Sequence, residues 1–221
     1  MRVLLGPETE DLRTLYAVPR TPWFRLNFVS TVDGAAQGKD GKSGGINNAA
    51  DKAVFDTLRG LADAVVVGAG TARAEGYRPA TVPIVVVTRS GDVPRLLRGA
   101  DPGRVLAVTC AASPGLDEAR AVLGAAHVIV LGDDAVDLGA LPGALAGRGL
   151  PHVLCEGGPH LARDLLAAGV VDELCATTVP RLLAGTALGI TDGDGIDVPL
   201  RLHVLLEDDG TLLARWLVAR P

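Results

Sequence analysis

The feature that most constrains the fold of this sequence is a regular alternation of short apolar runs with helical segments. Seven runs that contain β-branched residues predict strands, at 23–31, 64–67, 84–88, 105–110, 127–131, 152–155 and 173–179. Helical spacing or helix-start signals lie between them, at 48–61, after Ser113-Pro114, at 138–146 and at 161–168. Strands that alternate with helices imply a largely parallel sheet with helices on both faces.

The C-terminal segment departs from this alternation. Residues 200–206 and 211–218 flank an acidic turn with a glycine, which predicts an antiparallel β-hairpin. The predicted fold class is therefore α/β, a three-layer αβα sandwich whose mixed, mostly parallel sheet ends in an antiparallel C-terminal hairpin. We expect a single domain over 1–221, with an irregular lead-in at 1–21 that holds at most a short helix, and a core at 22–218. The apolar edge of the hairpin needs covering, which favours a homodimer.

Composition and charge exclude several functional classes. The 221 residues are 48% hydrophobic, which allows a core without disulfides or metals, and the net charge of −5 argues against nucleic-acid binding. No apolar run approaches the roughly 18–20 residues of a membrane span, and the N-terminus does not resemble a signal peptide. The widely spaced Cys110, Cys155 and Cys175 form neither a disulfide framework nor a zinc ligand set. We therefore expect a cytoplasmic protein without a bound metal, whose partner is a small molecule.

A glycine-rich turn follows the predicted strand at 64–67. Gly68, Ala69 and Gly70 are small enough for backbone N–H groups to approach a phosphate, and Thr71 adds a hydroxyl donor. The alternative is a tight strand-to-helix turn without a ligand. The segment is not a complete dinucleotide fingerprint, because Arg73 occupies the third glycine position.

A second glycine turn follows the predicted strand at 152–155. Here Glu156, Gly157, Gly158 and Pro159 open a helix that continues through Leu161. Two such turns at the ends of two strands can hold the two halves of one dinucleotide, although each alone can be a sharp turn without a ligand.

Two further segments carry polar groups at predicted strand ends. Arg89 and Ser90 follow a strand about twenty residues after the first glycine turn, where a cation and a hydroxyl suit the 2′-phosphate of NADP. Asn27, Ser30, Thr31 and Asp33 crowd the end of the first predicted strand, which is costly unless they bind a ligand or cap a turn. The alternatives are a solvated arginine and a simple Asp-Gly turn.

Together these segments resemble the riboflavin-biosynthesis reductase family, the C-terminal reductase domain of RibD and its stand-alone relatives. The motifs that carry the resemblance are Thr31-Val32-Asp33-Gly34, Val67-Gly68-Ala69-Gly70-Thr71 with Glu75, Glu156-Gly157-Gly158-Pro159 and Val171-Asp172-Glu173-Leu174. The resemblance covers about 22–218. It implies a dihydrofolate-reductase-like fold, a homodimer and NADPH as cofactor. It also implies reduction of the ribosyl group of 5-amino-6-(5-phosphoribosylamino)uracil to a ribityl chain.

The resemblance also assigns roles by position. Residues 68–71 fall at the family's cofactor-phosphate turn, and Glu156, Gly157, Gly158 and Leu161 fall at its second dinucleotide turn. Asn27, Thr31 and Asp33 fall on the substrate-side strand. Glu75 falls where bacterial members carry an acidic pair thought to help protonate the substrate. We predict Glu75 for proton transfer and Asp33 for holding the pyrimidine or ribose, either being able to donate the proton.

This sequence also departs from the bacterial pattern. Many bacterial members have lysine where this chain has Asn27, and archaeal and fungal relatives resemble it more. Only Glu75 remains of the acidic pair, and 78–83 replaces an arginine-bearing stretch that binds the substrate phosphate. No deaminase zinc signature is present, so we expect no deamination by this chain.

Three other functions remain open at this stage. The first is reduction of dihydrofolate or another pterin on the same fold. The second is a Rossmann-type dehydrogenase, disfavoured by the missing third glycine and by the absence of a Tyr-x-x-x-Lys pair. The third is a nucleotide-binding regulator that binds NADPH without turnover.

Overall fold

A computed structural model describes residues 1–185 and 188–219; residues 186, 187, 220 and 221 of the predicted domain lie outside the described residues. The strands are β1 (Arg2–Leu5), β2 (Trp23–Thr31), β3 (Ala64–Gly68), β4 (Ile84–Val87), β5 (Val105–Thr109), β6 (Val128–Val130), β7 (His152–Cys155), β8 (Glu173–Val179), β9 (Leu200–Asp208) and β10 (Thr211–Val218). The α-helices are α1 (Leu12–Leu15), α2 (Ala49–Arg59), α3 (Ala69–Glu75), α4 (Leu116–Leu123), α5 (Leu141–Ala146) and α6 (Pro159–Ala167). Three 3-10 turns occupy Ser43–Gly45, Arg95–Leu97 and Ala125–His127.

The strands form one sheet in the order β1-β9-β10-β8-β2-β7-β3-β4-β5-β6. The seven strands from β8 to β6 run parallel to one another, whereas β10 is antiparallel to both β8 and β9. The predicted mixed, mostly parallel sheet with an antiparallel C-terminal hairpin is therefore confirmed.

Helices cover both faces of the sheet, because the central strands are apolar on alternate residues in both directions. Val65 and Val67 pack on one face with α1, α2, α3 and α4, and Ala64 and Val66 pack on the other with α5 and α6. The three-layer αβα sandwich follows from this double burial. Within the described residues no helix is long and apolar enough to cross a bilayer.

The lead-in was wrong as an irregular segment, because Arg2–Leu5 forms β1. β1 pairs antiparallel with β9, with Val3 opposite Leu206, and so covers part of the hairpin edge within the same chain. A four-residue edge strand whose partner lies 200 residues away carries little local signal. The short helix expected in this segment is present as α1, capped by the Asp11 carboxylate.

A buried ionic cluster joins the lead-in to the sheet. Glu173 of β8 accepts hydrogen bonds from Arg25 of β2 at 3.2 Å and from Arg215 of β10 at 2.9 Å. The same arginines donate to the carbonyl groups of Tyr16 and Leu15 in the lead-in. Because these residues are almost fully buried, the cluster fixes how the N-terminal segment lies on three strands.

The three cysteines are buried free thiols, as expected for Cys110 and Cys155. Burial raises the pKa of Cys155 to about 12, so that thiol stays protonated. Within the described residues no group of histidine, cysteine and acidic side chains has the arrangement of a metal site.

Candidate active site

A cleft of about 290 Å³ opens at the carboxyl ends of β2, β7 and β3. β7 returns to the sheet between β2 and β3, so the chain changes direction here, and such switch points are where ligands bind in open α/β sheets. The lining residues used below are Asn27, Phe28, Ser43, Asp51, Phe55, Arg59, Thr71, Glu75, Tyr77, Glu156, Gly158 and Pro159.

The two predicted glycine turns touch each other beside the cleft. The Gly68 N–H donates to the Gly157 carbonyl at 2.8 Å. A Cβ on Gly158 would lie 2.3 Å from Thr71 Oγ1, so the close approach of the two turns requires a glycine there. The peptide bond between Gly157 and Gly158 is cis.

Both turns present helix starts whose backbone N–H groups are not capped by a side chain. Gly68 is the N-cap of α3 and Gly158 the N-cap of α6, and neither start has a side-chain cap hydrogen bond. A Cβ on Gly70 would meet no atom within 4 Å, so open space lies over the first turn. Leu161 packs against this pair of turns, with its Cδ2 3.8 Å from the Cβ position of Gly68.

Glu156 is held rigidly at the base of the cleft. Arg59 donates to its two carboxylate oxygens at 2.7 and 2.8 Å, and the Tyr77 hydroxyl donates at 2.5 Å. The hydrogen bond to Glu156 raises the pKa of Arg59, and burial raises the pKa of Tyr77 above its ordinary value. Glu156 was predicted at the cofactor turn; its side chain instead faces the cleft, while the glycines after it form the turn.

Glu75 ends α3 and lines the opposite wall of the cleft. Its Oε1 accepts a hydrogen bond from the Ser43 N–H at 2.8 Å, which ties the loop after β2 to α3. Among the described residues no hydrogen bond to the second carboxylate oxygen, Oε2, is found. Glu75 therefore combines a fixed position with an available oxygen.

Asn27 and Asp51 are buried polar residues in the same cleft. Asn27 is 8% exposed and Asp51 3% exposed, and Oδ1 of each lacks a hydrogen-bond partner among the described residues. Such orphaned oxygens are rare in protein interiors and call for a ligand or a water.

The other predicted substrate residues lie beyond the lining of the cleft. Thr31 Oγ1 donates to Asp33 Oδ1 at 2.5 Å, and the backbone N–H groups of Leu183 and Ala184 donate to the Asp33 carboxylate at 3.3 and 2.7 Å. Asp33 thus fastens a distant loop to the end of β2, and Ser30 lies half-buried next to Thr31. A substrate role for Ser30, Thr31 and Asp33 stays a prediction.

Arg89 and Ser90 follow β4, the strand next to β3 in the sheet, and both are exposed. They lie at the same edge of the sheet as the first glycine turn but do not line the cleft. Their predicted contact with a 2′-phosphate stays a prediction.

Several cleft residues escaped sequence reasoning. Asp51 and Phe55 lie in α2 and Arg59 at its end, where helical spacing accounts for them as ordinary residues of an amphipathic helix. Tyr77 lies in the stretch after Glu75 that does not follow the bacterial pattern. The available signal was the cluster of Asp51, Phe55 and Arg59 at intervals of four, which places them on one face of α2.

The fold and cleft define a class, that of α/β proteins which bind a small molecule at the strand ends of a mixed sheet. The sequence model of the RibD C-terminal domain family matches residues 22–213, and the chain belongs to that family. It is 31% identical over 197 residues to the 2,5-diamino-6-ribosylamino-4(3H)-pyrimidinone 5′-phosphate reductase of Methanothermobacter thermautotrophicus, covering 80% of this chain and 86% of the relative.

Solved structures agree. A pyrimidine reductase-like protein from Corynebacterium diphtheriae superposes with a TM-score of 0.81 at 26% identity, over 95% of this chain and 99% of that one. Dihydrofolate reductase from Enterococcus faecalis shares the fold, with a TM-score of 0.50 at 12% identity over 90% of this chain and 98% of that one. The predicted family, the dihydrofolate-reductase-like fold and the reductase class are confirmed.

Proposed function

We propose that this protein is an NADPH-dependent reductase of a phosphorylated ribosylaminopyrimidine in riboflavin biosynthesis. The substrate is 5-amino-6-(5-phosphoribosylamino)uracil or its 2-amino counterpart, the compound named for the archaeal relative. The observation that carries the proposal is the direct contact between the two glycine turns at one end of a cleft whose other walls hold Asn27, Glu75 and Glu156.

The residues at the two turns fit a dinucleotide. The space over Gly70 and the uncapped start of α6 suit phosphate oxygens, and Thr71 offers a hydroxyl between the two turns. Arg89 and Ser90, one strand further along the sheet, suit the additional 2′-phosphate of NADPH. When bound, NADPH supplies the hydride that converts the ribosyl group into a ribityl chain.

The protein's own task is to hold the sugar and supply a proton. As C1′ of the ribosyl group is reduced, its bond to the ring oxygen breaks and that oxygen takes up a proton. Glu75 delivers this proton, directly or through a water, because its Oε1 is fixed by Ser43 while Oε2 stays available. Glu156, saturated by Arg59 and Tyr77, positions the substrate and does not titrate in the reaction.

Titration and turnover test this function. The protein should bind NADPH more tightly than NADH, as measured by calorimetry, and should oxidise NADPH only when a ribosylaminopyrimidine phosphate is added. Binding without oxidation by these compounds or by dihydrofolate would indicate a regulator. Turnover with dihydrofolate alone would indicate a pterin reductase.

The finer properties are a homodimer in the cytoplasm. Free, buried thiols suit a reducing compartment. Leu4 and Leu5 of β1, each 46% exposed, and Leu212 of β10, 40% exposed, leave apolar surface near the sheet edge that a second copy would cover.

A further inference from the structure

One feature of the cleft is not used by the reduction step: the buried carboxylate of Asp51. Asp51 lies in the first turn of α2 and is 3% exposed, yet it lines the cleft. The Thr177 hydroxyl hydrogen-bonds to this carboxylate, while Oδ1 has no partner among the described residues. A carboxylate that is buried and only half satisfied is costly.

Folding alone gives little reason for an acid at this position. Asn48 caps α2 by accepting a hydrogen bond from the Asp51 backbone N–H at 3.0 Å, so the Asp51 side chain is not needed as the cap. Within the part of the chain that the structure describes, no lysine or arginine forms an ion pair with Asp51. Burial raises its pKa and the Thr177 hydrogen bond lowers it, as expected of a carboxylate that lacks a second donor.

The surroundings of Asp51 specify the shape of the missing donor. Phe28 and Phe55 line the same cleft, and aromatic side chains pack well against a flat ring. A carboxylate only accepts hydrogen bonds, so it pairs best with two adjacent N–H donors in one plane. The missing partner is therefore a planar heterocycle with a two-donor edge.

The two candidate substrates differ at this edge. A 2-amino-4-oxopyrimidine presents its 2-amino group and its N3–H side by side. A uracil presents N3–H between two carbonyl oxygens, and its C2 oxygen would oppose a carboxylate oxygen. Acceptor facing acceptor is a repulsive arrangement that selects against the uracil.

We infer that Asp51 recognises the 2-amino and N3–H edge of the substrate and makes the enzyme specific for the 2-amino-4-oxopyrimidine over the uracil. This assignment rests on the proposed function for the rest of the reaction. It makes the preceding step in the sequence of reactions one that leaves the 2-amino group in place, with hydrolytic deamination at C2 following the reduction.

The first test compares kcat/KM for the two ribosylaminopyrimidine phosphates in the wild type, Asp51→Asn and Asp56→Asn. The wild type should prefer the 2-amino substrate about 100-fold, the size expected of a hydrogen bond to a charged group. Asp51→Asn should abolish this preference, because the asparagine amide can donate to the C2 oxygen of the uracil. Asp56→Asn, on the exposed side of the same helix, should keep it.

Two results would overturn the assignment. One is a wild type that reduces the uracil as well as the 2-amino compound; the other is an Asp51→Asn variant that loses activity on both equally while binding NADPH normally. Reduction of dihydrofolate that depends on Asp51 would support recognition of the edge and contradict the proposed substrate.

A second test needs neither turnover nor a variant that folds. Binding of 2,5,6-triaminopyrimidin-4-one and 5,6-diaminouracil to the wild type is measured by calorimetry, since these bases differ only at C2. Tighter binding of the triamino compound supports the role of Asp51 even if neither phosphate is reduced. Equal binding, or tighter binding of the uracil, contradicts it whether or not the proposed reaction occurs.

Discussion

Three carboxylates lie in or near the cleft in addition to Asp51, and at the scale of single residues their partners separate their roles. Glu156 is saturated by a guanidinium and a phenol. Hydrogen bonds from the Thr31 hydroxyl and the Ala184 backbone N–H hold the pKa of Asp33 below its usual range, so Asp33 is a poor proton donor. Glu75 lines the cleft with one oxygen available, which favours it as the acid.

Replacing Glu75 by glutamine should therefore lower kcat by about 100-fold or more, the usual contribution of a general acid. The NADPH dissociation constant should stay unchanged, because Glu75 lies at the far end of α3 from the glycine turn. Steady-state kinetics and a coenzyme titration check both, with the exposed Glu10→Gln as control. An unchanged kcat in Glu75→Gln would remove Glu75 from proton transfer.

The contact between the two glycine turns is an arrangement of whole elements, since it joins the ends of β3 and β7 to the starts of α3 and α6. It also separates the requirements of folding from those of binding. Gly158 is needed for packing against Thr71, whereas Gly70 has open space where a Cβ would lie. Glycine at position 70 costs the helix stability without any packing reason, which points to a ligand.

Gly70→Ala should thus leave the thermal unfolding temperature unchanged or slightly higher, because alanine is the better helix former. It should weaken NADPH binding about tenfold or more, since a methyl group then occupies the space for a phosphate, and a tenfold loss is about 1.4 kcal/mol. Gly143→Ala in α5, also with open space at its Cβ, is the control for the helix effect. Equal NADPH affinity in both variants would argue against a phosphate at Gly70.

The cluster at Glu173 is the second arrangement between elements that makes a prediction. Burial alone would raise the pKa of Glu173, but Arg25 and Arg215 hold it below its ordinary value of 4.5. The carboxylate therefore contributes stability that is complete above that pH and is lost as the pH falls through the lower folded-state pKa.

Glu173→Gln should lower the free energy of unfolding by about 3–5 kcal/mol at neutral pH, because two buried arginines lose their counter-charge. Urea unfolding at several pH values measures this, and the loss should shrink in acid. Asp56→Asn, which breaks an exposed ion pair with Lys52, should cost about 0.5 kcal/mol or less. A similar small loss in Glu173→Gln would show that the cluster is not important for stability.

At the scale of the whole molecule, the arrangement of strands and helices was predictable and the assembled cleft only in part. Strands such as β3 and β4 are apolar at successive positions because both faces are buried, so local sequence reports them directly. The two glycine turns were predictable for the same reason, since small residues at a strand end are a local signal.

What local sequence cannot report is pairing over long distances. β1 was missed because its partner, β9, comes 200 residues later. Asp51 was missed because its position in the first turn of a helix explains it fully until the structure shows that Asn48 is the cap and that Oδ1 has no partner. Asp33 carries the resemblance to the family, yet its hydrogen bonds fasten the loop at 183–184.

The proposed homodimer is also a property of the whole molecule. Analytical ultracentrifugation should give the mass of two chains. Leu4→Asp at the exposed sheet edge should shift the equilibrium towards the monomer, while Ile196→Asp, an exposed apolar residue in the loop before β9, should not. A monomeric wild type would contradict the dimer without affecting the proposed reaction.

The central claim, that hydride passes from NADPH to the sugar carbon of a pyrimidine held in this cleft, has one direct test. The protein is incubated with the 2-amino ribosylaminopyrimidine phosphate and NADPH deuterated at both C4 positions, and the product is analysed by mass spectrometry and NMR. The claim predicts one deuterium at C1′ of a ribityl chain. A product without deuterium at C1′, or NADPH that is bound but never oxidised, would contradict it.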